Sequence, residues 1–98
     1  MPQFDVHRSR NGNDLLLDCQ SDLLDHFDTR FVIPLIHAQA AQKLSRLHPI
    51  FEIDGEHHMM ATQLASAVDA KELGLCIASL ADRRYDILNA VDMLLTGV

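Results

Sequence analysis

The sequence predicts a mainly β fold with one C-terminal helix, a domain of the α+β class, and three observations support this prediction. Residues 14–20 alternate between apolar and polar side chains with the period of two that is typical of a half-buried strand. Two residue pairs that favour tight turns, Asn11 with Gly12 and Asp54 with Gly55, each lie between strand-like segments. Beyond residue 79, apolar residues recur at the spacing of one helical face until Gly97.

The strands follow the turn signals along the chain. The predicted strands are residues 4–6, 14–20, 31–33, 50–53, 56–62 and 66–68. Pro34 follows the third of them, and we expect it at the strand's end or on a sheet edge because proline has no N–H to donate. Residues 36–47 are rich in Ala, Gln, Lys and Leu, which favours a short helix or helical turn.

The last quarter of the chain predicts an amphipathic helix. Ser79 is an N-cap candidate, and Asp82 lies three residues later, close to the capping-box pattern. The apolar stripe comprises Leu80, Ile87, Leu88, Val91, Leu94, Leu95 and Val98, with Arg83, Asp86, Ala90 and Met93 broadly opposite. We assign Ile87, Val91 and Leu94 to the core and reserve the last turn for function. Gly97 suits the left-handed position that ends a helix.

Length and charge restrict the class of function. The 98 residues predict one domain over residues 1–98, with a largely aliphatic core because the chain has four Phe, one Tyr and no Trp. A net charge of −6 argues against direct binding of nucleic acid, which requires Lys and Arg to neutralise phosphates. The chain shows neither a secretory signal nor an apolar run of about 20 residues. We therefore expect a cytoplasmic protein without membrane contact, with Cys19 and Cys76 reduced.

Three histidines near one turn raise the question of a metal site. His57 and His58 follow Glu56, and His48 lies upstream. Adjacent side chains on a strand point to opposite faces, so His57 and His58 do not readily chelate one ion. Neither cysteine belongs to a CxxC pair. The sequence therefore predicts no metal site.

Short segments spread over the chain form an ordered set. They are residues 18–25 (DCQSDLLD), residues 30–35 (RFVIPL), residues 59–62 (MMAT) with Ala65 and Ser66, residues 86–87 (DI) and residues 89–91 (NAV). The chain closes on Thr96, Gly97 and Val98. In order and spacing this set resembles the CcdB toxin family over essentially the whole chain. Members of that family have Gly-Ile as their last two residues, where this chain has Gly97 and Val98.

The resemblance implies a CcdB/MazF-type SH3-like barrel with an antiparallel sheet and a C-terminal helix, assembled as a homodimer. It implies a type II toxin that binds the A subunit of DNA gyrase and traps the enzyme on cleaved DNA, which blocks replication without a catalytic residue or a cofactor. It also implies a CcdA-like antitoxin as partner. That antitoxin supplies the DNA-binding domain, so operator DNA is contacted only through it.

By the same resemblance, the gyrase-binding surface is the end of the C-terminal helix with a rim from an earlier loop. Its residues are Asp92, Leu95, Thr96, Gly97 and Val98 at the helix end, and Ser21, Leu23 and Leu24 at the rim. Well-known members carry Trp before the terminal glycine, where its ring stacks on a gyrase arginine; this chain has Thr96 there. An Arg–aromatic stack contributes roughly 0.5–2 kcal/mol, so its absence lowers the expected affinity by up to ~30-fold. Other members end Thr-Gly-Ile. Apart from the resemblance, Thr96, Gly97 and Val98 are more typical of a simple helix stop with a frayed tail.

The acidic series Asp14, Asp18, Asp22 and Asp25, which continues to Asp28, has two interpretations. It is either a surface that binds the antitoxin or a solvated turn region, since charge runs of this kind occur in both.

Arg30 and Thr62 raise an alternative function. MazF-type endoribonucleases share the CcdB fold and use an arginine with a Ser or Thr to cleave RNA. Arg30 precedes a predicted strand and Thr62 lies at the end of another, so the two could form such a pair. The chain has no basic surface for RNA and resembles CcdB more closely, so a binding toxin is the favoured interpretation.

Overall fold

The computed structural model of the protein describes residues 1–39 and 45–97. Within these ranges the chain forms seven strands and one α-helix: β1 (Asp5–Ser9), β2 (Leu15–Asp18), β3 (Thr29–His37), β4 (Ile50–Ile53), β5 (Glu56–Met60), β6 (Ser66–Asp69), β7 (Leu73–Ser79) and α1 (Arg84–Thr96). Short 3₁₀ turns cover Asp22–Leu24, Thr62–Leu64, Ala70–Glu72 and Ala81–Arg83. The predicted class, mainly β with a C-terminal helix, is confirmed.

All strand pairs are antiparallel, and they form one curled sheet in the order β4-β5-β3-β2-β1-β7, with β6 paired to β3 beside β5. The sheet closes part of the way into a half-barrel. The predicted turn between β4 and β5 is confirmed, because Asp54 has φ +53° and Gly55 has φ +80°. Two successive residues with positive φ match the twist of a two-residue hairpin.

Pro34 lies in the middle of β3, so the prediction of an end or edge position is wrong. On one side of β3, Leu16 of β2 faces Pro34. On the other side β6 pairs with residues 29–32 and β5 with residues 35–37, which leaves a gap at Pro34. The Pro34 C=O points into this gap and accepts from the Ala61 N–H at 2.9 Å. Since the N and C=O of one strand residue point to the same side, the donor that proline lacks interrupts no ladder bond.

The predicted helix over residues 36–47 is wrong at its start. Ile36 and His37 are the last residues of β3, where they pair with Met59 and His58 of β5. Tertiary pairing therefore overrides the helix propensity of the sequence at this point. Residues 40–44 lie outside the described residues.

β7 was not predicted. Its seven residues, LGLCIAS, are apolar or small almost throughout and show no alternation with a period of two. β7 pairs with β1 only, and the register shifts twice along the pair, between Val6 and His7 and again between His7 and Ser9. Because the register shifts along the pair, the side chains of β7 do not alternate regularly, and the strand has no period-two signal in the sequence.

α1 begins later than the sequence predicts. The Ser79 Oγ accepts from the Ala81 N–H at 3.3 Å, but Ser79 caps no helix: the N-cap of the 3₁₀ turn over Ala81–Arg83 is Leu80, and that of α1 is Arg83. The predicted end of the helix is confirmed: Gly97 has φ +75° and donates its N–H to the Met93 C=O at 2.8 Å. Glycine adopts this left-handed conformation without the clash that a Cβ would cause.

The buried face of α1 is shorter than the predicted stripe. Ile87 and Ala90 are buried, and Val91 is partly buried against the core. The prediction that Ala90 points away from the core is therefore wrong. The assignment of Leu94 to the core is also wrong, because its side chain is exposed. Between Ala90 and the end of α1 no side chain is fully buried, so the final part of the helix extends beyond the core.

The core lies between the sheet and α1. Its buried side chains are Phe4, Val6, Leu15, Leu17, Ile33, Leu35, Phe51, Ile53, Met60, Leu80, Ile87 and Ala90. Two of these are aromatic, which confirms the prediction of a largely aliphatic core. In the ranges that the structure describes, no helix has the length and apolar character needed to cross a membrane.

Candidate functional site

The end of α1 is open to solvent. Asp92, Leu95, Thr96 and Gly97, which the sequence analysis assigned to gyrase binding, are all exposed, and Val98 lies outside the described residues. Leu95 is the most accessible apolar side chain of this group, with 75% of its surface exposed. An apolar side chain at this exposure contributes little to folding through burial, so it is available to a partner.

Local hydrogen bonds fix the shape of the helix end. The Thr96 Oγ–H donates to the Asp92 C=O at 2.7 Å, one turn earlier. The Gly97 N–H donates to the Met93 C=O at 2.8 Å and closes the helix. Upstream, the buried Ile87 holds α1 against the core. The last turn of α1 therefore presents a preformed shape, and preorganisation reduces the entropic cost of binding.

The predicted rim residues form the first 3₁₀ turn. The Ser21 Oγ accepts from the Leu23 N–H at 3.2 Å and caps the turn. The Asp22 carboxylate accepts from the Gln3 N–H at 2.8 Å, which ties the turn to the N-terminal segment. Leu24 is exposed, and Leu23 is 86% exposed. Neither of these bonds involves α1, so a surface shared with the last turn of α1 stays a prediction.

The acidic residues separate into two classes. Asp14, Asp22 and Asp25 are exposed, whereas Asp18 is fully buried and its carboxylate accepts from the Arg30 guanidinium at 2.7 and 3.1 Å. The prediction that Asp18 binds an antitoxin is therefore wrong, because a buried carboxylate requires an internal partner and Arg30 is that partner. Asp14 precedes β2 and Asp22 follows it, so the exposed acids lie at opposite ends of this strand.

The two residues proposed for RNA cleavage are also internal. Arg30 has only 2% of its surface exposed, and besides Asp18 its guanidinium donates to the Met1 C=O at 3.1 Å. Thr62 is fully buried, and its hydroxyl donates to the Leu47 C=O at 2.6 Å. Neither side chain is placed to contact a phosphate, so the prediction that this pair forms a nuclease site is wrong. Both residues stabilise the fold.

The comparison with protein families decides the class of this protein. The family model described as CcdB protein matches residues 3–97, nearly the whole chain. The chain belongs to the CcdB family. The resemblance seen in the sequence is thereby confirmed.

Two solved structures with a similar fold are a MazF toxin and an endoribonuclease. The Mycobacterium tuberculosis toxin MazF-mt6 matches with a TM-score of 0.74 and 11% sequence identity, over 93% of this chain and 95% of that chain. An endoribonuclease in complex with its cognate antitoxin, from Mycobacterial species, matches with a TM-score of 0.79 and 12% identity, over 97% of this chain and 94% of that chain. At these identities the likeness shows the fold, and it confirms the predicted CcdB/MazF-type architecture. The family match supports a toxin of a toxin–antitoxin system.

The histidines near the β4–β5 turn of this CcdB-family chain do not converge. Burial alternates along β5, with His58 buried and His57 only half-buried, as expected for adjacent strand residues. The His48 Nε2 lies 2.7 Å from the Gln63 Oε1 and so has a separate partner.

A groove of about 580 Å³ lies against β2 and β3, and the sequence analysis did not predict it. Its lining combines apolar residues with carboxylates: Leu16, Pro34, Ile36, Asp14, Asp54 and Glu56. Asp14 is the one residue among the predicted antitoxin contacts that lines this groove. The lining comes from separate segments that only the folded sheet brings together, so no local pattern in the sequence reveals it.

Proposed function

We propose that this CcdB-family chain is a toxin that binds the A subunit of DNA gyrase and traps the enzyme on cleaved DNA. The observation that carries the proposal is the exposed and preformed last turn of α1, with Leu95 protruding from a helix that Ile87 and Ala90 hold against the core. Membership of the CcdB family supports it independently. The toxin acts by binding and needs no catalytic group.

The proposal includes a homodimer in the cytoplasm. A two-fold dimer presents the last turn of α1 twice, and two copies related by symmetry fit the two-fold axis of a dimeric target. Engagement of both copies makes the second contact intramolecular and raises the overall affinity without any new interaction. This avidity offsets the stacking energy that is lost because Thr96 replaces an aromatic ring.

We also propose that a CcdA-like antitoxin neutralises the toxin through the groove that Asp14 lines. The groove has apolar side chains beside the carboxylates of Asp14, Asp54 and Glu56. These acids outnumber the one arginine of the lining, Arg8, which suits a segment with apolar and basic residues. With a net charge of −6 the toxin repels DNA, so operator binding takes place through the antitoxin alone.

The test uses the full-length protein with purified gyrase of the host organism, in supercoiling and DNA-cleavage assays. We expect inhibition of supercoiling and accumulation of cleaved DNA. Deletion of residues 96–98 should reduce trapping by about 30-fold or more, the effect of losing a contact worth about 2 kcal/mol. The circular dichroism spectrum should not change, because Thr96 and Gly97 are exposed and chain ends contribute little to the fold.

A matched control separates target binding from general damage to the helix. Tyr85 lies at the opposite end of α1 and is 76% exposed, so Tyr85→Asp places a new charge on the same helix at an equivalent exposure. We expect this variant to trap cleaved DNA like the wild type. Absence of trapping by the wild type, or cleavage of added RNA by the purified chain, would contradict the proposed function.

A further inference from the structure

Three potential metal ligands meet where β1 pairs with β7. Asp5 and His7 are alternate residues of β1, and His7 lies directly opposite Cys76 of β7. One ligand atom from each of Asp5, His7 and Cys76 lies within 4.8 Å of the other two. Among the described residues, no other group of three His, Cys, Asp or Glu side chains comes close enough to share one ion.

The hydrogen bonding of the His7 ring points to a bound ion, independently of the short distances between the three side chains. The His7 Nδ1 lies 3.1 Å from the Gly74 C=O, and as the N–H nitrogen it donates to that carbonyl. His7 is only 5% exposed. Its other ring nitrogen, Nε2, is buried and has no hydrogen-bond partner among the described residues. A buried polar atom without a partner is costly to fold around. A donor bond at one ring nitrogen with a free lone pair at the other is how histidine is oriented as a metal ligand.

We propose that Asp5, His7 and Cys76 form a Zn²⁺ site that joins β1 to β7. The donors are the Asp5 carboxylate, the His7 Nε2 and the Cys76 Sγ. A set of one oxygen, one nitrogen and one sulfur suits Zn²⁺, whereas Mg²⁺ and Ca²⁺ require oxygen ligands. Three protein ligands leave the fourth tetrahedral position for water.

The contact between Cys76 and Asp5 changes when the ion binds. Without an ion, the Cys76 thiol donates to the Asp5 Oδ2 at a sulfur–oxygen distance of 3.4 Å. On binding, the thiol releases its proton to solvent, and the thiolate and the carboxylate both coordinate Zn²⁺. Cys76 is exposed, so an ion reaches the site from solvent without opening the core.

The geometry of β7 supports this arrangement through Gly74. A Cβ at position 74 would lie 2.9 Å from the backbone oxygen of Arg8, so glycine permits the close approach of β7 to β1. The Gly74 carbonyl also fixes the orientation of the His7 ring. No pattern in the sequence predicted this site, because Cys76 lies about 70 residues from Asp5 and His7 in the chain and meets them only where the unpredicted strand β7 pairs with β1.

The test uses the tag-free, reduced, full-length protein, titrated with ZnCl₂ by isothermal calorimetry and with CoCl₂ by absorption spectroscopy. We expect one Zn²⁺ per chain and a thiolate-to-cobalt charge-transfer band. Cys76→Ser and Asp5→Asn should each lower the Zn²⁺ affinity by at least about 100-fold, since loss of even an outer-shell partner costs about 10- to 100-fold. The Cys76→Ser variant should also lack the charge-transfer band.

Both substitutions are at accessible positions that are not part of the core cluster, and circular dichroism checks that each variant folds. The matched controls are Cys19→Ser and His26→Ala, which change the other cysteine and an exposed histidine. Both controls should bind Zn²⁺ like the wild type. Failure of the wild type to bind stoichiometric Zn²⁺, or binding that survives both Cys76→Ser and Asp5→Asn, would overturn the proposal.

Discussion

The last turn of α1 and the β2–β3 layer around Arg30 differ in where their side chains find partners. Around Arg30 the charged groups are buried and satisfied within the chain, since Asp18 accepts two bonds from the guanidinium and Met1 accepts a third. At the end of α1 only the polar groups are satisfied, and the apolar Leu95 projects into solvent. The first arrangement stabilises the fold, and the second leaves contact surface for another molecule.

The difference shows that residue type alone does not identify a site. An arginine beside a strand and an acidic series both suggest binding, yet Arg30 and Asp18 form a buried ion pair with each other. Leu95 belongs to an apolar stripe that suggests core, yet it is exposed, as are Leu88 and Leu94, and it is the most exposed of the three. Burial and hydrogen-bond satisfaction therefore decide between stability and recognition.

The largest effect that tests the contrast between Arg30 and the end of α1 is a loss of stability when Arg30 is replaced. Arg30→Met should lower the free energy of unfolding by about 3–5 kcal/mol, because it leaves the Asp18 carboxylate buried without its counter-charge. Urea denaturation followed by circular dichroism measures the change. The control Arg10→Met, at an exposed position, should stay within about 0.5 kcal/mol of the wild type. A loss below 1 kcal/mol for Arg30→Met would show that the buried pair does not stabilise the fold.

The two cysteines give a comparison that needs no mutation. Burial and, second, the Asp18 carboxylate raise the pKa of the Cys19 thiol from 9.0 to about 12. Three pKa units reduce the reactive thiolate by about 1000-fold at neutral to mildly alkaline pH. Desolvation and the bond to Asp5 raise the pKa of Cys76 too, but its sulfur is open to solvent.

Mass spectrometry after iodoacetamide treatment at pH 8 should therefore find Cys76 alkylated in the native protein and Cys19 alkylated only after denaturation. Equal labelling of both cysteines in the native protein would mean that the layer next to Asp18 opens readily.

A smaller effect is expected at the β1–β7 pair. Gly74→Ala should lower the free energy of unfolding by about 1–3 kcal/mol, because the new Cβ meets the Arg8 backbone oxygen at 2.9 Å and the strands must move apart. Gly12→Ala is the matched control, since a Cβ there meets nothing within 4 Å. Denaturation curves for the two variants decide the point, and equal stability would contradict the close approach.

The smallest effect on stability is expected at the end of α1. Leu95→Asp should lower the free energy of unfolding by no more than about 1 kcal/mol, because the side chain is already in solvent and only the helix propensity of Asp and its charge at the helix C-terminus oppose it. Thermal unfolding measures this. A loss of more than about 2 kcal/mol would place Leu95 in an internal contact and remove the contrast with Arg30.

The parts of the fold that the sequence predicts are those with local signals. Asp54 and Gly55 mark their turn through positive φ, residues 15–17 of β2 alternate in burial, and Gly97 ends α1. The parts that were wrong or missed depend on contacts between distant segments. β3 continues through Pro34 because two different strands pair with it on the same side, and β7 is a strand because β1 lies beside it.

The candidate site was likewise predicted only in part. The end of α1 was predicted from the resemblance to the CcdB family, because helical spacing alone assigned Leu95 to an apolar stripe. The pairing of Asp18 with Arg30 crosses from β2 to β3, and twelve residues of sequence separate the two. No local pattern distinguishes such a buried ion pair from two surface charges.

The most direct test of the central claim measures binding of the purified gyrase A subunit to the wild type, Leu95→Asp and Tyr85→Asp by surface plasmon resonance. We expect Leu95→Asp to weaken binding by about 30-fold or more, as for a contact that contributes about 2 kcal/mol. Tyr85→Asp, at the other end of the same helix, should bind within about threefold of the wild type, as expected for a residue outside the interface. If Leu95→Asp binds as tightly as the wild type, the last turn of α1 is not the surface that recognises gyrase.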